Sequence, residues 1–213
     1  MFKKDHFCLL YGLIVLGLAG LIVVLLVIDS TTREMLIREN GPIELLSAIG
    51  YFVCLIPLLR HGVEDSKSQL LMAFFLLILG MRELDFHARF TAMELTKIKF
   101  YLSSNVPIME KAIGAAIILL FAYCIMSLSK EYFLAYVGAV KQLEPYAIGV
   151  SLAFLFLMIS LGLDGFEKKA ATLGFAITSD VSDIMIVVEE VIEFGIPIMF
   201  LIAIMSYHKQ LKN

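Results

Sequence analysis

The eight residues Arg82-Glu83-Leu84-Asp85-Phe86-His87-Ala88-Arg89 hold two acids, two guanidinium groups and an imidazole. At helical spacing Arg82, Asp85 and Arg89 share one stripe, and Glu83 and His87 share another, four residues apart. The first stripe can neutralise itself. The second sets a carboxylate beside an imidazole with no cation of its own. A similar density recurs at Val187-Val188-Glu189-Glu190-Val191-Ile192-Glu193, where Glu189 and Glu193 lie one turn apart and Glu190 stands on the adjoining arc. Asp183 precedes Glu190 by two turns on the same face. Pro197 has no N–H to give to the carbonyl of Glu193, so that oxygen is left without its helical donor. Glu39 and Glu44, on either side of Pro42, form a third acidic group.

Three kinds of chemistry fit these residue types. Chains of acids and histidines bind and relay protons or cations, which assigns that work to Glu44, Glu83, Asp85, His87, Glu189, Glu190 and Glu193, with Arg82 and Arg89 as charge partners. Alternatively, Glu83, His87, Glu190 and Glu193 offer an oxygen-rich shell to a divalent metal such as Zn, Mn or Fe. The chain would then be a metal-dependent enzyme acting on a lipid or lipid-linked group. In the third reading the charges are structural: Arg82 and Arg89 tie helices together in a membrane sensor or scaffold. No HExxH, paired ExxH, GxSxG, P-loop or GxGxxG signature occurs in a supporting context.

The elements that must position these residues follow from composition. Of 213 residues 60% are hydrophobic and 17% charged, against about 25% charged in soluble domains. Mean hydropathy is +0.90, and a globule of this size has too little interior to hide that much apolar surface. A net charge of −3 and a pI of about 5.8 leave no basic domain for nucleic acid. The chain reads as an all-α polytopic membrane protein, a single transmembrane domain over 1–213 with the lipid bilayer as its first partner. Six spans are expected, at about 7–28, 42–59, 69–87, 106–127, 145–163 and 184–207.

Depth is what makes the acids notable. The third apolar run, from Leu70 to Met81, rises only about 18 Å against a core of roughly 30 Å. The spacing therefore predicts that the helix continues through His87, with Arg82 to His87 at the membrane boundary. Glu193 is followed by about fourteen residues before Tyr207, which sets it one to two turns inside. Burying an acid at a helix centre costs about 2.5–3.5 kcal/mol on insertion scales, so each is expected to face the bundle.

With six spans, Lys and Arg number eight on the terminal side and nine on the other, and Lys3-Lys4 ahead of the first span tips the termini to the cytoplasm of a bacterial-type inner membrane. Fifteen of the twenty acids fall on the opposite side. A chain of this size without a soluble domain suits a second copy or a partner membrane subunit. Cys8, Cys54 and Cys124 lie in different spans without CxxC spacing and read as buried thiols. His6, His61 and His208 flank spans and read as solvated. The segment from Phe86 to Phe100 fits either an interfacial helix or a continuation of the third span. A short helix is expected in the fifth loop, and Ser104-Asn105 is expected to cap the fourth span.

Overall fold

The computed structural model describes residues 2–38, 41–61, 65–84 and 98–211. Glu39, Asp85, His87 and Arg89 lie outside the described residues, as does most of the segment from Phe86 to Phe100. Among the described residues the fold is all-α: α1 (Phe2–Val27), α2 (Ser30–Ile37), α3 (Pro42–His61), α4 (Ser66–Glu83), α5 (Ile98–Leu102), α6 (Ile108–Lys141), α7 (Pro145–Leu163), α8 (Phe166–Thr172) and α9 (Ser179–Leu211). Among the described residues four stretches are long and apolar enough to cross a membrane: His6–Val27, Ser30–Arg60, Ile108–Lys141 and Pro145–Leu163.

The helix bounds repay comparison with expectation. Helix α7 coincides with the expected fifth span, opened by Pro145 at a position where its missing N–H costs nothing. Helix α8 is the short helix expected in the fifth loop. Helix α4 differs from the span expected at 69–87. It begins at Ser66, where the Asp65 carboxylate accepts the Ser68 N–H at 2.9 Å, and it ends at Glu83 with Leu84 as cap. Its 18 residues rise about 27 Å, so the missing length comes from a polar first turn. The amide and hydroxyl of Ser68 hold the exposed Asp65 carboxyl below its ordinary range. Helix α6 runs on to Lys141 because no proline interrupts residues 128–141. Its start is Pro107, with no side-chain cap, where Ser104-Asn105 was expected.

Helix α9 is the axis of the fold, packed on α7, α3 and α1, while α3 carries α4 and α4 carries α6. The contacts sort the molecule into two ends. At one, Arg33 of α2 pairs with Asp183 at the start of α9 at 2.9 Å, and Ser182 donates to Glu167 of α8 at 2.9 Å. At the other, Gln69 of α4 donates to the Leu58 carbonyl near the end of α3 at 2.8 Å. The rings of Tyr146 and Tyr207 meet there at 5.3 Å, and Lys209 Nζ stands 5.3 Å over the Phe7 ring.

Lipid tails are as apolar as leucine, so helices in a bilayer associate through close packing rather than through the hydrophobic effect. Small residues mark each close approach to α9. A Cβ on Gly50 of α3 would lie 2.9 Å from the Pro197 ring, and one on Gly195 would lie 2.7 Å from Leu18 of α1. A Cβ on Gly149 of α7 would overlap the Tyr11 hydroxyl and stand 3.0 Å from Ala203. Gly149→Ala should therefore lower stability by about 1 kcal/mol through overpacking. Adding Tyr11→Phe should return part of that loss in a detergent thermal melt, and an unaltered melt for Gly149→Ala would refute the contact.

Two smaller expectations are corrected. Cys8 is exposed, because α1 turns that face outward, whereas Cys54 and Cys124 are buried. His208 is buried, not solvated, because α9 continues past the expected end of its span and lays the ring near Tyr207.

Candidate functional site

Each arm of the site comes from a different helix. Arg82 sits in the last turn of α4, where its charge also suits the negative end of the helix dipole. Its Nη2 donates to Glu193 Oε1 of α9 at 2.9 Å. Ser160 of α7 donates to the same carboxylate oxygen. The carboxylate of Glu193 is thus gripped by a guanidinium and a hydroxyl from two further helices, at 12% side-chain exposure.

The backbone of Glu193 is held as well. The proline at 197 leaves its carbonyl without a helical donor, and Ser47 of α3 stands 3.2 Å from that oxygen. The same Ser47 Oγ lies 2.9 Å from Glu83 Oε2. Ser47 and Glu83 are both buried. One hydroxyl proton therefore faces two acceptors, a buried carboxylate and an orphaned carbonyl. One turn further along, the carbonyl of Pro197 accepts from Cys54 Sγ of α3 at 3.2 Å. Buried Tyr51 fills the turn between Ser47 and Cys54, within electrostatic reach of Glu83, Glu193 and Arg82.

Around this core the acids are crowded. Glu193, Arg82 and Glu44 all act on Glu83 through space. Glu190 is influenced by Glu193, Glu44, Glu189 and Glu83. Glu189 is influenced by Glu193 and Arg82, with Asp164 and Lys169 at the rim. Five glutamates therefore share one neighbourhood, in which Arg82 is the internal cation and Lys169 the peripheral one among the described residues.

The fold brings together Glu44, Glu83, Glu189, Glu190, Glu193 and Arg82. Asp85, His87 and Arg89 lie outside the described residues. Of the four residues expected as metal ligands, Glu83, Glu190 and Glu193 are described. No group of three or more His, Cys, Asp or Glu side chains that could hold a metal ion occurs among the described residues. Sequence reasoning missed Ser47, Tyr51 and Ser160, and with Ser160 the part played by α7. The available signal was a hydroxyl isolated in an apolar run, as Ser160 is between Ile159 and Leu161.

No family model, curated protein or solved structure matches this chain.

Proposed function

We propose that the chain crosses the membrane six times and uses the Glu193-centred cluster to bind or pass protons or cations, as a small transporter or as a subunit of a larger membrane system. The supporting observation is the density of acid around Glu193: among the described residues four further glutamates, Glu44, Glu83, Glu189 and Glu190, share its neighbourhood, and Arg82 pairs with it. Carboxylates held close together in a low-dielectric interior favour protonation or a bound cation. The hydrogen bonds fit proton traffic. When a proton resides on Glu83 it is donated to Ser47 Oγ, and Ser47 turns its own proton to the Glu193 carbonyl, so that every group is satisfied. When that proton leaves, Ser47 swings back to the Glu83 carboxylate.

Crossing by α4 and α9 is supported by their place in the fold. Helix α9 is surrounded by α1, α3 and α7, Glu193 on it is only 12% exposed, and its 33 residues rise about 50 Å. The setting we propose is a bacterial-type inner membrane with cytoplasmic termini. Single cysteines placed at Ser30, Ser103 and Ser179, in a chain lacking Cys8, Cys54 and Cys124, should label from one side, and a cysteine at Ser66 from the other. Any mixture among the first three would overturn six spans.

The test of activity is a proteoliposome carrying a trapped pH-sensitive dye, under an imposed potassium diffusion potential. Wild-type protein should dissipate the proton gradient faster than empty vesicles, and Glu193→Gln should reduce the rate at least tenfold while keeping the wild-type elution profile. Equal rates for the two proteins would leave the cluster with an architectural role. Repeating the assay with external sodium or potassium gradients, read by an ion-sensitive dye, separates proton from cation passage.

A further inference from the structure

Helices α7 and α9 run antiparallel, since Gly149 meets Ala203 and, further along α7, Ser160 meets the Glu193 carboxylate. The next turn in that register sets Asp164, the residue that ends α7, level with Glu189, one turn before Glu193. Asp164 and Lys169 both act on Glu189 through space. Lys169 is placed there by a contact of its own. Its Nζ donates at 2.9 Å to the carbonyl of Leu161, in the last turn of α7, where carbonyls lack helical donors and a cation suits the dipole. The helix that carries Lys169 is α8, seven residues long. Gly165 and Gly174 bracket it with φ of +59° and +85°, and nothing stands within 4 Å of where either Cβ would be. Ala170 is buried, but Leu173 and Phe175 just beyond it are largely exposed. Two exposed hydrogen bonds tether α8: Lys169 to the end of α7, and Ser182 at the start of α9 to Glu167. Water competes with bonds of that kind, so the tethers hold weakly.

We propose that α8 is a flap over the entrance to the glutamate cluster, which swings on Gly165 and Gly174 and, when closed, holds Lys169 as a tethered cation beside Asp164 and Glu189. The inference rests on the reading of that cluster as a site for protons or cations, because a tethered ammonium competes with either. The contacts above are those of the closed state. When α8 swings away, Asp164 and Glu189 lose a fixed counter-charge and take a mobile one from solution. Arg82 does not play this part, since it lies one turn deeper, paired with Glu193. The two glycines suit the motion, because a residue without a Cβ passes between backbone conformations that other residues rarely adopt. The neighbouring Lys168 supplies the contrast. It stands about 100° round α8 from Lys169, with the same charge and a different direction.

The first test needs no transport. In the full chain lacking Cys8, Cys54 and Cys124, Glu189→Cys places a single thiol under the flap, and its labelling by a trimethylammonium methanethiosulfonate reagent is timed in detergent. Lys169→Gln removes a repelling charge and a tether, and should speed labelling about fivefold. Lys169→Arg should keep the slow rate, and so should Lys168→Gln. The second test fixes the flap shut. Glu167→Cys with Ser182→Cys, bridged by a short bifunctional methanethiosulfonate reagent, should slow ion flux in the proteoliposome assay at least tenfold, and dithiothreitol should restore it. An unchanged labelling rate in Lys169→Gln, an equal acceleration in Lys168→Gln, or full flux after bridging overturns the flap. Vesicles that pass no ion, while the labelling rates behave as expected, would count against passage and leave the flap standing over a binding site.

Discussion

Arg82→Ala should destabilise the protein by about 3 kcal/mol, and Glu193→Gln alone among the glutamates of α9 should restore much of the loss. Removing the guanidinium leaves the Glu193 carboxylate, at 12% side-chain exposure, with Ser160 as its one side-chain donor among the described residues. An uncompensated buried charge of this kind costs about 3–5 kcal/mol, and the lower figure applies because protonation gives the acid an escape. The reverse deletion is milder. Glu193→Gln keeps an oxygen for Ser160, and Arg82, whose side chain is 39% exposed, can extend towards the headgroups. The pair is thus asymmetric: losing the cation hurts more than losing the anion. A double-mutant cycle of thermal stability in detergent reads this directly. Rescue should fail with Glu189→Gln and Glu190→Gln, which share the neighbourhood but not the 2.9 Å contact. Additive losses for the Arg82/Glu193 pair, or equal rescue by all three, would show that the guanidinium is not committed to Glu193.

That specificity is where the sequence runs out. Spacing along α4 offered Arg82 the residue three positions on, and the acids of α9 offered three more partners. Choosing among them requires the rotation of α9 relative to α4 and α7, which depends on how Gly50 seats Pro197 and how Gly195 seats Leu18. These approaches are tertiary and leave no periodic trace in the chain. The consequence of Pro197 was legible for the opposite reason. A missing N–H is a local covalent fact, so the freed Glu193 carbonyl could be read without knowing what meets it. The hydroxyl that meets it, on Ser47, could not, since a serine in a helix can equally bond its own backbone, as Ser151 does to the Ala147 carbonyl at 2.8 Å.

The helix bounds divide in the same way. Pro145 and Asp164 bracket α7 with signals that act within a turn, and the expected bounds coincide with those observed. For α4, counting apolar residues alone put the helix too far along the chain. The capping carboxylate of Asp65 recruits a polar first turn into the helix, so α4 reaches its length before Asp85. Glu83 therefore stands in the last turn of α4, where its carboxylate meets Ser47 of α3.

Ser47→Ala should destabilise the protein by about 2 kcal/mol, and Pro197→Ala should shrink that cost. The first change removes one donor from two acceptors, the buried Glu83 Oε2 at 2.9 Å and the part-buried Glu193 carbonyl at 3.2 Å. A hydrogen bond to a charged group contributes about 1.5–3 kcal/mol and an orphaned carbonyl costs about 1–3 kcal/mol. Bilayer measurements average lower, near 0.6 kcal/mol per bond, so the two losses together come to about 2 kcal/mol. Pro197→Ala restores an N–H that can close onto the Glu193 carbonyl, leaving Ser47 with Glu83 alone. In that background Ser47→Ala should cost about 1 kcal/mol less, as thermal melts of the four proteins would show. Strict additivity would mean that the hydroxyl serves only Glu83. The companion variant is Glu83→Gln, whose amide always donates to Ser47 Oγ and so fixes the serine proton on the Glu193 carbonyl. It should melt at or above the wild-type temperature and yet fail in the proteoliposome assay, because the amide cannot release what a carboxyl can. A Glu83→Gln protein that still dissipates the proton gradient at the wild-type rate would remove Glu83 and Ser47 from the path and leave Glu193 to act without them.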